Sequence, residues 1–144
     1  MKIAVIGTGS VGGTLGRRWA ELGHSVCFGV RDLADAAPKA LVSKIKGDAR
    51  FASVRDAVED ADVVVLATPY AANAAAITSA GELAGKILID VTNPIGADFA
   101  LAVGLNSRAP KKWQNWRRAH GFTKRCIKWA SRSWPTSPSR PANR

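Results

Sequence analysis

The stretch "KIAVIGTGSVGGTLGRRWAELG", residues 2 to 23, decides how the chain is read. It opens with a short, β-branched apolar run ending at Ile6, without polar alternation, as expected of a strand covered on both faces by helices. The run stops at Gly7, and Gly7, Gly9 and Gly12 stand in the spacing G-x-G-x-x-G. Beyond them Val11, Leu15, Trp19 and Leu22 recur every three or four residues, which predicts a helix with an apolar face. Gly23 sits where the C-terminal cap of that helix is expected.

A glycine triplet closing a strand, opening a helix and trailed by a second strand is the context that a dinucleotide-binding loop requires. Gly7 permits the tight turn, Gly9 admits a pyrophosphate close to the backbone, and Gly12 lets helix and strand pack closely. The helix N-terminus then offers unsatisfied N–H donors and a positive dipole end to the diphosphate. The expected cofactor-binding residues of this loop are Gly7, Thr8, Gly9, Ser10, Val11 and Gly12. An NAD-binding domain places an acid at the end of the second strand, on the ribose 2′-OH. That place falls at Val30, followed by Arg31, whose guanidinium suits a 2′-phosphate, so NADP(H) is the expected cofactor. A register one residue away would bring Asp32 to the ribose instead.

The remaining pattern repeats strand and helix. "HSVCFGVR" and "DARF" read as strands, joined by a helix-like segment that Pro38 interrupts early. "SVRDAVEDA" is a short helix with Ser53 as its N-cap, "DVVVLATP" a buried strand, "YAANAAAITSAGELAG" an alanine-rich helix, and "KILIDVTNP" a further strand. Such alternation with short connections predicts an α/β fold, a Rossmann-type doubly wound parallel sheet. Ala67, Thr68 and Pro69 close the fourth strand, and Asn93 and Pro94 follow the fifth, at the carboxyl edge where these sheets bind ligands. They are expected to flank the dinucleotide toward the nicotinamide; the alternative is that the prolines only end strands and Asn93 serves a turn.

Composition divides the chain. Residues 1–109 carry 11 Lys and Arg against 11 Asp and Glu, whereas residues 110–144 carry 10 basic side chains and no acid, which accounts for the net charge of +10. Periodicity ends after Asn106, and four of the five tryptophans lie in the tail. The expected organisation is an NADP-binding domain over 1–109 and a basic, Trp-rich, irregular and poorly ordered tail over 110–144. Cys27 and Cys126 form neither a disulfide framework nor a metal-ligand cluster. No segment approaches the ~18 apolar residues of a membrane span, and the expected setting is a reducing cytoplasm. No nucleophile–base or carboxylate pair is recognisable by spacing, and hydride transfer needs none, because the cofactor supplies the chemistry.

"MKIAVIGTGSVGGTLGRRWAELGHSVCFGVRD", "ADVVVLATP" and "KILIDVTNP" together resemble the N-terminal domain of the NADPH-dependent coenzyme F420 reductase (F420-dependent NADP oxidoreductase) family, from Met1 to about Ser107. Pyrroline-5-carboxylate reductases and ferric-reductase domains have similar N-terminal halves. The resemblance implies hydride exchange between NADP(H) and a deazaflavin, coenzyme F420, or another small acceptor. It carries two departures. The family often places Ser or Thr before the arginine and Lys a few residues later, where this chain has Val30 and Asp35. The family also continues into a sixth strand and a C-terminal portion completing the acceptor site, so the expectation is an NADP-dependent oxidoreductase whose sheet is truncated after about five strands, with the activity of the chain left open. The partner expected is a small hydride acceptor or donor, with no nucleic acid and no membrane, and a homodimer as the assembly to examine.

The tail, "KKWQNWRRAHGFTKRCIKWASRSW" above all, has two readings. As an arm for RNA or single-stranded DNA, its cations would bind phosphates while Trp113, Trp116, Trp129 and Trp134 stack on bases. As a family C-terminal segment read out of frame, its codons re-read from each third base are compatible with "EKVAELAPGARVYKALHKVGFEIMAD". Three positions in that string are forced: Trp113–Gln114 gives alanine, Asn115–Trp116 leucine, and Trp129–Ala130 glycine. The string resembles the helix, loop and sixth strand of the family, and the off-frame reading is the one preferred.

Overall fold

The computed structural model describes residues 1–93 and the backbone of 127–128. Six parallel strands form one sheet in the order β3-β2-β1-β4-β5-β6. They are β1 (Lys2–Ile6), β2 (Ser25–Val30), β3 (Ala49–Ser53), β4 (Val63–Leu66), β5 (Ile87–Asp90) and β6 (Ile127–Lys128). The five strands read from the sequence carry the sheet. The sixth, two residues from within the tail, joins β5 through Ile89 opposite Ile127 and Asp90 opposite Lys128.

Alternating side chains of the central strands make two cores. Ala4, Ile6, Val64 and Leu66 point to the face covered by α3 (Val54–Glu59) and α4 (Asn73–Ala80). Ile3, Val5, Val63 and Val65 point to the opposite face with Ala20 of α1 (Ser10–Glu21), and Leu41 of α2 (Ala36–Val42) packs against that cluster. Because both faces are covered, β4 reads Val-Val-Val-Leu with every residue buried.

Helix α1 keeps part of the apolar stripe expected of it, with Leu15 half-buried and Trp19 packed against the core, and departs from the rest. Val11 and Leu22 are 53% and 57% exposed, and the face turned to the sheet is Gly12, Gly13, Gly16 and Ala20. The reason is close packing: a Cβ on Gly16 would run into the ring of Phe28, which is completely buried on β2. The helix ends as expected at Gly23, whose φ is +86°; its N–H donates to Ala20 O, and that of His24 to Trp19 O, at 3.0 Å each. Pro38 does not break α2, because it lies in the first turn, where a missing N–H costs nothing. The N-cap of α2 is Asp35, which accepts from Ala37 N, and that of α3 is Ser53, which accepts from Asp56 N.

The register decides where the sheet opens. Ile6 lies opposite Gly29 on one side and Leu66 on the other, so the carboxyl ends of β1, β2 and β4 finish level. From β1 the chain winds outward to β2 and β3, then returns to β4 on the other flank of β1. The connections leave β1 and β4 in opposite directions, and a crevice opens between them at the carboxyl edge.

Candidate functional site

A cleft of about 430 Å³ occupies that crevice. Its floor is the end of β1 and the loop behind it, Ile6 to Gly9; one wall is Gly29 to Asp32 after β2, and the other is Ala67 to Pro69 after β4. Three further contributions close it: Asp35 and Pro38 from the start of α2, Val54 at the start of α3, and Ala72 at the N-cap of α4 with Ala75, Ala76 and Ser79 along it.

The three glycines of the loop are required for different reasons. Gly7 has a φ of +110°, in the left-handed region, and a Cβ there would lie 2.6 Å from Ala67 O. Gly12 has its Cα against the carbonyl of Gly7, leaving no room for a side chain. Gly9 is unlike both. Its φ of −67° is open to any residue, and a Cβ built on it meets no protein atom within 4 Å. Nothing in the folded chain demands glycine there, and its backbone lines the cleft.

Gly9 is also the N-cap of α1, without a side-chain cap and with no acid in the first turn. The leading N–H groups and the positive end of a 12-residue helix are thus turned toward the loop, an arrangement that suits a diphosphate.

On the β2 side, Val30 ends its strand buried and Arg31 follows it exposed. The two acids beside Arg31 are engaged by their own loop: Asp32 Oδ1 accepts from Ala34 N at 2.8 Å, and Asp35 Oδ1 from Ala37 N at 3.0 Å. These turn and capping bonds hold the loop between β2 and α2 in shape.

On the β4 side a polar chain runs beneath the cleft. Thr68 Oγ1 donates to Asn73 Oδ1 at 2.7 Å, Asn73 Nδ2 to Thr92 Oγ1 at 2.8 Å, and Thr92 Oγ1 to Asp90 Oδ1 at 2.7 Å. It joins the end of β4, the start of α4 and the end of β5.

Of the residues singled out from the sequence, Gly7, Thr8, Gly9, Val30, Arg31, Ala67, Thr68 and Pro69 line the cleft together. Ser10 and Val11 lie exposed on the first turn of α1, and Gly12 is buried behind the loop. Asn93 is exposed outside the lining, and Pro94 is outside the described residues, as are Cys126 and the tail tryptophans on which the nucleic-acid reading rests. The wall from α4 was missed, although Ala72, Ala75, Ala76 and Ser79 have the spacing of one helical face and small side chains throughout. Among the described residues no group of three or more His, Cys, Asp or Glu could hold a metal, and no helix is long and apolar enough to cross a membrane.

A parallel sheet in this order, with a glycine loop at its switch point and a helix N-terminus facing the crevice, defines a Rossmann-type dinucleotide-binding domain. The chain belongs to the family described as NADP oxidoreductase, coenzyme F420-dependent, whose sequence model matches residues 2–94. An F420-dependent NADP reductase from Methanothermobacter marburgensis is 40% identical over 102 residues, which are 66% of this chain and 46% of that relative. The crystal structure of a protein provisionally named an F420-dependent NADP-reductase, from Arthrobacter sp. FB24, superposes with a TM-score of 0.69 at 36% identity, over 81% of this chain and 58% of that one. An imine reductase from Myxococcus stipitatus, solved in complex with NADP+, superposes with a TM-score of 0.60 at 26% identity, over 85% of this chain and 38% of its own. The chain spans about half the length of the curated relatives it matches.

Proposed function

We propose that this chain binds NADP(H) in the cleft and is the cofactor-binding part of an oxidoreductase that passes a hydride between NADP(H) and coenzyme F420 or a similar small acceptor. The observation that carries the reading is Gly9, a glycine that neither its φ nor any neighbour requires, at the point where a diphosphate meets the helix N-terminus. Thr8, Ser10 and Val11 continue that cradle, with Gly7 and Gly12 shaping it. Arg31 takes the 2′-phosphate, helped by Val30, which puts an apolar side chain where an NAD-binding domain has its acid. Ala67, Thr68 and Pro69 lie toward the nicotinamide half, and Asn93 and Pro94 are assigned to it from their place after β5 in the sequence.

NADP(H), when bound, supplies the hydride, and the residues named here bind and orient it. The acceptor assignment leans on the curated relatives, which are named F420-dependent NADP reductases. The test is a fluorescence titration of the full chain with NADPH and NADH. Tighter binding of NADPH is expected, and equal affinity for the two nucleotides would overturn the NADP assignment.

A further inference from the structure

The polar chain under the β4 wall has a direction, and the direction can be deduced. Thr92 N donates to Asp90 Oδ1 at 2.9 Å, and a backbone N–H can only donate, so that oxygen is an acceptor. Thr92 Oγ1 also donates to it and has no second proton, so toward Asn73 it can only accept. Asn73 must therefore present its amide N–H to Thr92 and its carbonyl oxygen to Thr68, and Thr68 spends its one hydroxyl proton on Asn73. Asn73 and Asp90 are 1% and 5% exposed, so bulk water does not compete for these bonds.

Thr68 lines the cleft, on the opposite side of the glycine loop from Arg31. We infer that Asp90 is a positioning residue that fixes the polarity of Thr68, so that Thr68 Oγ1 meets the nicotinamide half of the dinucleotide as a hydrogen-bond acceptor only. This rests on the dinucleotide reading above: with the 2′-phosphate at Arg31 and the diphosphate at the loop, the nicotinamide half lies against β4. The group opposite Thr68 is then an N–H or O–H donor, from the carboxamide or from the adjoining ribose. Asp90 reaches the ligand only through Thr92, Asn73 and Thr68.

The experiment compares Kd values of the full chain for NADPH and for 2′,5′-ADP, which lacks the nicotinamide half. Thr68→Val is expected to weaken NADPH about five- to tenfold, the worth of one hydrogen bond, and to leave 2′,5′-ADP unchanged. Asp90→Ala removes the acceptor, frees Thr92 to turn its hydroxyl proton toward Asn73 and so lets the chain reverse; it is expected to produce a similar loss for NADPH alone, and to add almost nothing on top of Thr68→Val, whereas Asp90→Asn, whose carbonyl oxygen still accepts from Thr92, is expected to keep wild-type affinity. Thr92→Val interrupts the same chain at nearly constant volume and is read the same way if the Asp90 variant does not fold. The 3-acetylpyridine analogue of NADP, lacking the carboxamide N–H, identifies the donor: a weakening in the wild type that disappears in Thr68→Val assigns the carboxamide, and its absence assigns the ribose hydroxyl. Wild-type affinity in both Asp90→Ala and Thr92→Val, or losses that add to that of Thr68→Val, would overturn the inference. A wild-type chain that binds neither nucleotide overturns the dinucleotide reading itself.

Discussion

Gly7 packs its Cα against the carbonyl of Ala67, so closely that a Cβ would lie 2.6 Å from the oxygen. The contact ties β1 to the loop after β4 and sets the width of the cleft between them. Gly7→Ala combines a forbidden contact with a left-handed φ, and should lower stability by about 2 kcal/mol or more. Gly9→Ala does neither and should leave stability within about 1 kcal/mol of wild type, while weakening NADPH by at least about tenfold, since the new methyl group enters the diphosphate approach. Urea midpoints and NADPH titrations on the two variants separate these roles. A Gly9 variant that loses stability but keeps its affinity would refute the assignment.

The cofactor preference turns on Arg31, with Asp32 and Asp35 bound to their own loop. Arg31→Ala should weaken NADPH by about 1.5–3 kcal/mol, the range for a hydrogen bond to a charged group, and NADH by much less. Raising the salt concentration should narrow the wild-type gap between the two nucleotides, because the site is exposed and screened. Parallel losses for both nucleotides on mutation would remove Arg31 from the 2′-phosphate site.

Helix α1 packs through Gly16, where a Cβ would collide with the Phe28 ring. Gly16→Ala gains helix propensity of about 1 kcal/mol, yet it must push the helix from the sheet or move a completely buried ring, at about 1–3 kcal/mol or more. Net destabilisation is expected, with weaker NADPH binding as well, because the N-terminus of the same helix faces the cleft. Phe28→Leu, by making room, should recover part of the loss in the double variant. Purely additive losses would place the strain elsewhere.

The strands and the glycine loop were legible because each rests on a local signal, an apolar run or a fixed glycine spacing. The burial of α1 was not, because hydrophobic periodicity weights large side chains, and Val11 and Leu22 outvoted the glycines that touch the sheet. The β2 wall could be placed from the length of the βαβ unit, since Val30 and Arg31 follow the loop at a regular distance. The polar chain was invisible for a different reason: Thr68, Asn73, Asp90 and Thr92 come from three elements, and only the parallel register of β4 and β5 brings them together. In sequence, Asn73 is one polar residue in an alanine-rich helix.

Cys27 carries a prediction in pH. Burial on β2 pushes its thiol above the ordinary value, against the opposing pull of the Arg50 guanidinium. The unfolded thiol ionises at about pH 8.5, so between that value and the raised folded value the unfolded state has lost a proton that the native state keeps. Stability should therefore be fully present below about pH 8.5 and decline above it, by at most about 1.4 kcal/mol per pH unit for one proton. Urea denaturation across pH 7 to 10, in a Cys126→Ser background that leaves Cys27 as the single thiol, should show this alkaline decline. Cys27→Ala should be less stable at pH 7, having lost a buried sulfur, but flatter toward alkaline pH. Equal slopes with and without the thiol would mean that its ionisation is not coupled to folding.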